Sequence, residues 1–312
     1  MTKELVWVPQ NLSPLYPLAT MLSQKHIDGW LQCETVESTT SKYRHRLITE
    51  KNGSRQAVMP ALRDYYYQAH EDARQRLRRL MGTSLDPLEE EDGIDPAMGY
   101  PDSLHNITLQ GYFGETFAAI IAEFFYPFDI HDWKVPAFLF RFHNLAFEQL
   151  EELRLEGGAA GLIPGRTGDD NLAFQFNDAG EVTKVLCCES KCVTTNHNKI
   201  IANAHEKVGK AIRSGWQLVE ILSERTDPTS LRWLNAIRRY WLGHNRSVQR
   251  FNLVTYICGN SPKRSGATTW ISVSEPHCDY VYTDPLESCE IHLPGIPDLI
   301  NQVYRMNEAN SA

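Results

Sequence analysis

Apolar residues recur at helical spacing over 56–81 (QAVMPALRDYYYQAHEDARQRLRRLM), which predicts one long helix with Pro60 near its start. Its basic end, Arg74 to Arg79, suits a helix C-terminus, where the dipole favours cations. GYFGETFAAIIAEFF (111–125) is apolar on most faces and predicts a buried helix. VPAFLFRFH (135–143) reads as a strand and LAFEQLEELRL (145–155) as an amphipathic helix. NLAFQF (171–176) and EVTKVLCCESK (181–191) read as two strands around the turn Asn177-Asp178-Ala179-Gly180. Helices follow over 196–222 and 228–242, then strands over 251–259 and 268–275. CEIHLPGIPDLINQVYRM (289–306) closes with a strand, a turn and a helix. Residues 1–55 mix short apolar runs with turn residues and assign no element. Helices flanking a group of strands give an α/β or α+β class with a mixed central sheet. The acidic, Gly- and Pro-containing stretch 86–103 reads as a linker, separating an accessory region (1–105) from a main domain (106–312).

Composition narrows the class. The chain has 312 residues and a net charge of −8, which disfavours coating nucleic acid by bulk electrostatics. Any nucleic-acid contact must be local, or a partner must present the substrate. No run of 18 apolar residues predicts a membrane span. Glu4 and several prolines interrupt what a signal peptide would need, so a cytoplasmic protein is expected. The seven cysteines include the adjacent pair Cys187-Cys188 and no CxxC spacing, which predicts reduced core thiols rather than a disulfide framework or a metal cluster.

The hairpin at 171–191 carries the candidate chemistry. Side chains alternate along a strand, so Cys187, Glu189 and Lys191 share one face. A turn centred between Asp178 and Ala179 sets Asp170 opposite Cys187 on that same face, with Asp169 pointing away. Glu189 is then the diagonal neighbour of Asp170, roughly 7–8 Å off and within reach of one bridging metal ion. A three-residue turn with a bulge would reverse this parity. Mg²⁺ or Mn²⁺ takes one or two carboxylates plus waters and phosphate oxygens, and a nearby lysine can orient the attacking water or contact the scissile phosphate. The plain alternative is a surface hairpin with an ordinary Glu–Lys pair. Against it, VLCCE is an apolar run, and charges emerging from a buried strand need partners or a metal. Glu115, in the apolar helix after Gly111 and Gly114, is a further ligand candidate; the alternative is a first-turn Glu stabilised by the helix dipole. Glu123 is a weaker competitor two turns later.

Asp170 followed by Glu189-Ser190-Lys191 resembles the motif pair of the PD-(D/E)xK nucleases. GYFGETFAAII, GRTGDDNLAFQF, VLCCESK and CEIHLPGIPDLINQVY together resemble the nuclease subunit of Hachiman-type antiphage defence systems, over roughly residues 105–306. The resemblance implies a restriction-endonuclease-like core, with Glu115, Asp170, Glu189 and Lys191 catalytic and the three carboxylates as metal ligands. It also implies DNA as substrate and a superfamily 2 helicase as partner. Arg166, in the loop before Asp170, is placed to clamp phosphate or simply to face solvent. Lys199, Lys210 and Arg213 fall near one helical face and could track a DNA backbone; Lys207 lies on the same helix. Arg232, Arg238, Arg239, Arg246 and Arg250, interleaved with Trp233, Tyr240 and Trp241, form a second basic cluster. His205-Glu206 lacks the second histidine of a zinc protease, and no P-loop or GxGxxG pattern occurs. Two other readings compete: an inactive nuclease fold serving as a scaffold, and a stand-alone restriction-type endonuclease.

Overall fold

An interior strand is covered on both faces, and LESCEIH (286–292) is buried at all seven positions, so its polar side chains need partners inside the protein. The computed structural model describes residues 22–40, 42–81, 95–144, 146–147, 170–210, 215–244, 247–262, 266 and 268–305. Its elements are α1 (Gln24–Trp30), β1 (Leu31–Thr40), β2 (Tyr43–Glu50), α2 (Arg55–Ala69), α3 (Glu71–Met81), α4 (Asn106–Phe125), β3 (Asn171–Phe176) and β4 (Val182–Val193). There follow α5 (Asn198–Val208), α6 (Gly215–Glu224), α7 (Pro228–Trp241), β5 (Gln249–Cys258), β6 (Leu286–His292) and α8 (Ile296–Tyr304). The strands form one six-stranded mixed sheet in the order β1-β2-β6-β5-β4-β3. The four inner strands run parallel, and β1 and β3 close the edges in antiparallel pairing. Strands from both sides of residue 105 share it, since β2 pairs with β6 from Tyr43–Leu286 to Thr49–His292.

Alternation along the strands sorts the core into two layers. Ile48, Cys188, Leu253 and Cys289 pack against α1, α2, α4 and α8. On the opposite face, Leu172, Val185 and Cys187 meet α6 and α7, while Val254 and Tyr256 meet α5. Buried carboxylates on β6 are fully engaged, as burial requires. Glu287 accepts from Arg46 Nε at 2.7 Å and from the Phe128 amide at 2.6 Å. Glu290 accepts from the amides of Trp270 and Ile271 and lies 2.6 Å from His292 Nε2.

Several sequence expectations change. The helix predicted over 56–81 is two helices, broken at His70. His70 is fully buried and stacked on Phe140 at 4.2 Å, with the Tyr100 and Tyr304 hydroxyls beside its ring nitrogens. Packing that ring among aromatic neighbours outweighs continuing the helix. Residues 135–143 form no strand; Lys134 makes one bridge to Phe174, and a 3₁₀ turn occupies Phe140–Phe142. Ala137, Leu139 and Phe140 are buried and Val135, Phe138 and Phe142 partly so, but the backbone is irregular. Residues 268–275 are likewise no strand, because the Glu290 carboxylate takes the amides of Trp270 and Ile271. The helix expected over 196–222 is α5 and α6, with 211–214 outside the described residues. The expected helix over 145–155 and the Gly-rich loop before Asp170 lie outside them too, apart from 146–147. Residues 1–55, which assigned nothing, contribute α1, β1 and β2. Among the described residues no helix is long and apolar enough to cross a membrane.

The helix α4 positions the hairpin. His105 Nδ1 caps it by accepting from the Ile107 amide at 3.2 Å. A Cβ at Gly114 would lie 2.9 Å from Ser190 Oγ and 3.2 Å from the Cys192 Cβ, so glycine is what lets α4 seat on β4. Gly111, expected to serve the same purpose, is exposed and meets nothing within 4 Å. The two glycines therefore respond oppositely to substitution. Gly114→Ala is expected to destabilise by about 1–3 kcal/mol through overpacking, and Gly111→Ala to stabilise by about 0.5–1 kcal/mol. Urea denaturation of the two variants checks the contrast.

Candidate active site

The hairpin joining β3 to β4 turns through three residues. The Asn177 amide donates to the Glu181 carbonyl at 3.0 Å and the Gly180 amide to the Asn177 carbonyl at 2.9 Å. Gly180 takes the left-handed conformation (φ 74°) that this loop type demands. A three-residue loop alone would turn the strand faces over. A bulge restores them: Phe176 pairs with Val182 but Gln175 pairs with Lys184, leaving Thr183 unpaired. The Thr183 hydroxyl donates to the Gln175 carbonyl at 3.2 Å. Beyond the bulge Asn171 pairs with Cys188, so Asp170 enters the hairpin beside Glu189 and Ser190 rather than opposite Cys187. The expected face is kept, and the register moves by two residues.

Asp170 leads into β3 and is tied to β4 twice. Its amide donates to the Cys188 carbonyl at 3.2 Å, and its Oδ2 accepts from the Ser190 amide at 2.7 Å. That carboxylate oxygen stands where a longer β3 would offer a carbonyl. Glu189 is 3% exposed, and its Oε1 lies 2.5 Å from Lys191 Nζ and 4.0 Å from Lys207 Nζ. Burial pushes the Glu189 carboxyl up to about 7, and the Asp170 charge adds to the rise; Lys191 and Lys207 pull the other way. Burial disfavours the Lys191 ammonium, but the charges of Asp170, Glu189 and Glu115 outweigh it and the pKa rises. At neutral pH Lys191 is therefore a cationic donor.

The other expected residues divide. Glu115 projects from the helix on the opposite face of the sheet, 3.9 Å from His143 Nε2, and its backbone carbonyl accepts from Asn171 Nδ2. Its charge reaches Lys191, but it does not join Asp170 and Glu189 in a three-carboxylate cluster. Glu123 accepts from the Val135 amide at 3.0 Å, a structural bond. Lys199 is exposed, and Lys210 is exposed and paired with Glu206 at 3.1 Å. Arg166 and Arg213 lie outside the described residues. Lys207, not singled out from sequence, is the lysine of α5 that approaches the site. Its signal was position: it flanks the buried stripe Ile201, Ala204, His205 and Val208. His205 bonds the Ile201 carbonyl and the Ser288 hydroxyl at 2.8 and 3.0 Å, and burial lowers its pKa to about 4, making it a neutral cross-link.

An all-oxygen donor set suits Mg²⁺ or Mn²⁺. Among the described residues, Asp170 Oδ1 and Glu189 Oε2 make no hydrogen bond, which leaves one oxygen of each carboxylate for a cation. A cation would also relieve the repulsion that raises Glu189, so the residues fit the group. All seven cysteines are free thiols. The group of three metal-type side chains whose ligand atoms converge among the described residues is His277, Cys278 and Asp279, on an exposed loop.

The raised Glu189 pKa fixes a pH dependence. The folded carboxyl holds its proton more tightly than the unfolded one, so native stability falls as pH rises from about 4.5 to about 7. Glu189→Gln removes that dependence, and its stability relative to the native protein is expected to grow across the same window in urea melts. A difference that ignores pH would contradict the burial of the ionised group.

Compared with known proteins, no family model matches the chain and no curated protein matches it.

Proposed function

We propose that the chain is a metal-dependent nuclease of the PD-(D/E)xK type, cutting DNA at the Asp170–Glu189–Lys191 site. One observation carries this reading: the Asp170 carboxylate is tied to the Ser190 amide at 2.7 Å, between Glu189 and Lys191, and Lys191 Nζ lies 2.5 Å from Glu189 Oε1 on the same face. The surrounding topology supports it. A helix (α4) precedes an antiparallel hairpin, and α5 to α7 lead from β4 to the parallel neighbour β5.

Asp170 Oδ1 and Glu189 Oε2 would hold a Mg²⁺ or Mn²⁺ ion. When bound, such an ion lowers the pKa of a water and offsets charge developing on the phosphate. The side chains supply the rest. Lys191, cationic and 22% exposed, donates to a scissile phosphate oxygen or orients the attacking water. Lys207, 41% exposed, adds a second positive charge on the solvent side of Glu189. The Ser190 amide fixes the Asp170 carboxylate, so its second oxygen keeps one direction.

The net charge of −8 sets how DNA is reached. A chain so acidic attracts DNA weakly over its whole surface. This favours the role that the sequence resemblance implies, the effector subunit of a Hachiman-type antiphage system in the cytoplasm, with a superfamily 2 helicase delivering the substrate.

Asp170→Ala, Glu189→Ala and Lys191→Ala are each expected to reduce Mg²⁺-dependent cleavage of DNA by ~10²-fold or more. Glu115→Gln, which lies across the sheet, is expected to reduce it by less than about tenfold. Calorimetric titration with Mn²⁺ gives an independent reading, with binding lost in the Asp170 and Glu189 variants. Full cleavage by any of the three alanine variants, with the partner present, would sink the assignment. Absence of cation binding by the wild-type chain would favour the scaffold reading instead.

A further inference from the structure

At the turn end of the hairpin, remote from Glu189, the loop Asp178-Ala179-Gly180 and the helix α7 enclose a cavity of about 400 Å³. Trp233, Phe176, Arg232, Arg239, Asn235 and Thr229 line it. We propose that it binds one nucleotide unit of a single-stranded nucleic acid, the base against Trp233 and the phosphodiester at Arg232. This rests on the nuclease reading only in taking nucleic acid as the ligand.

Three features select that ligand. The indole is held in place: the Phe176 ring centre lies 3.8 Å from it and the Phe174 ring 6.4 Å away, so it can serve as a fixed stacking platform. The Asn235 amide and Thr229 hydroxyl offer donors and acceptors to a base edge without charge. The charge is small. Arg239 is shared with Glu181 at 3.2 Å, and Asp178 sits at the loop. Among the described residues Arg232 has no ion pair and is exposed. One uncommitted guanidinium matches a single monoanionic phosphodiester and is too little for a nucleoside triphosphate.

The placement relates this cavity to the catalytic end. Val182, the partner of Phe176, is seven residues from Glu189 along β4, and at ~3.3 Å per residue the two ends lie ~23 Å apart. A stacked strand rising ~3.4 Å per nucleotide covers that in about seven nucleotides. A strand of greater length has the reach to occupy both ends at once.

The test is fluorescence anisotropy of a fluorescein-labelled fifteen-residue oligothymidylate with the full chain carrying Glu189→Gln, without divalent cation. Arg232→Glu is expected to weaken binding by about tenfold or more and to flatten the salt dependence by about one phosphate contact. Trp233→Ala is expected to weaken it ~5- to 100-fold, and Trp233→Phe to restore most of it. Thymidine monophosphate in hundredfold excess is expected not to compete. Binding that ignores both Arg232→Glu and Trp233→Ala overturns the proposal. So does absence of oligonucleotide binding, or displacement by the mononucleotide, which would mark a free-nucleotide site. Because Arg232 is exposed, its variant keeps the test valid if Trp233→Ala misfolds. Failure of the wild-type chain to cleave DNA with Mg²⁺ and its partner present, while Arg232-dependent binding persists, overturns the nuclease reading alone.

Discussion

Glu189 is buried beside Asp170 in a site where water screens the two carboxylates poorly, and holding them there is the constraint around which the hairpin is organised. Every nearby group answers it. The Ser190 amide takes one Asp170 oxygen, Lys191 takes one Glu189 oxygen, and Lys207 approaches from α5. The compensation is incomplete: burial, with the Asp170 charge adding to it, keeps the Glu189 carboxyl raised to about 7. The cation proposed for this site would relieve the cost of keeping the two carboxylates together. The same logic is absent at Glu287 and Glu290, where amides, arginines and histidine satisfy each carboxylate.

Rigidity comes from both sides of β4. One face is clamped by α4 at Gly114, and the other by α5, whose Ile201 shares a core cluster with Val193. Parallel pairing with β5 from Lys184 to Val193 fixes the strand along nearly its whole length. The charged side chains therefore emerge from a strand whose backbone has little freedom, which is the condition for preorganised electrostatics.

Much of this was legible in the sequence, and the failures have physical causes. The hairpin announced itself through two apolar runs around Asn177-Asp178-Ala179-Gly180, and the helix expected over 228–242 is α7, Pro228–Trp241. The face shared by Asp170, Glu189 and Lys191 followed from alternation. The register did not, because nothing about Thr183 marks a bulge, and the bulge cancels the parity change of the odd loop. The apolar spacing of 135–143 and 268–275 predicts strands, but such spacing does not reveal that the backbone there makes no ladder beyond the bridge of Lys134 to Phe174. The break at His70 carries no Gly or Pro and is set by rings contributed from residues 100, 140 and 304. Glu115 had the right place in chain order, but it sits on the helix of the opposite face with its carboxylate 3.9 Å from His143, a placement that order alone cannot reveal.

The central claim is that a divalent cation binds between Asp170 and Glu189. Fe²⁺ substituted for Mg²⁺, with ascorbate and peroxide, cuts the backbone beside the bound ion, and mass spectrometry of the fragments locates the cuts. The account predicts breaks flanking Asp170 and Glu189-Ser190, suppressed by excess Mg²⁺. Breaks confined to His277-Cys278-Asp279, or unaffected by Mg²⁺, would contradict it.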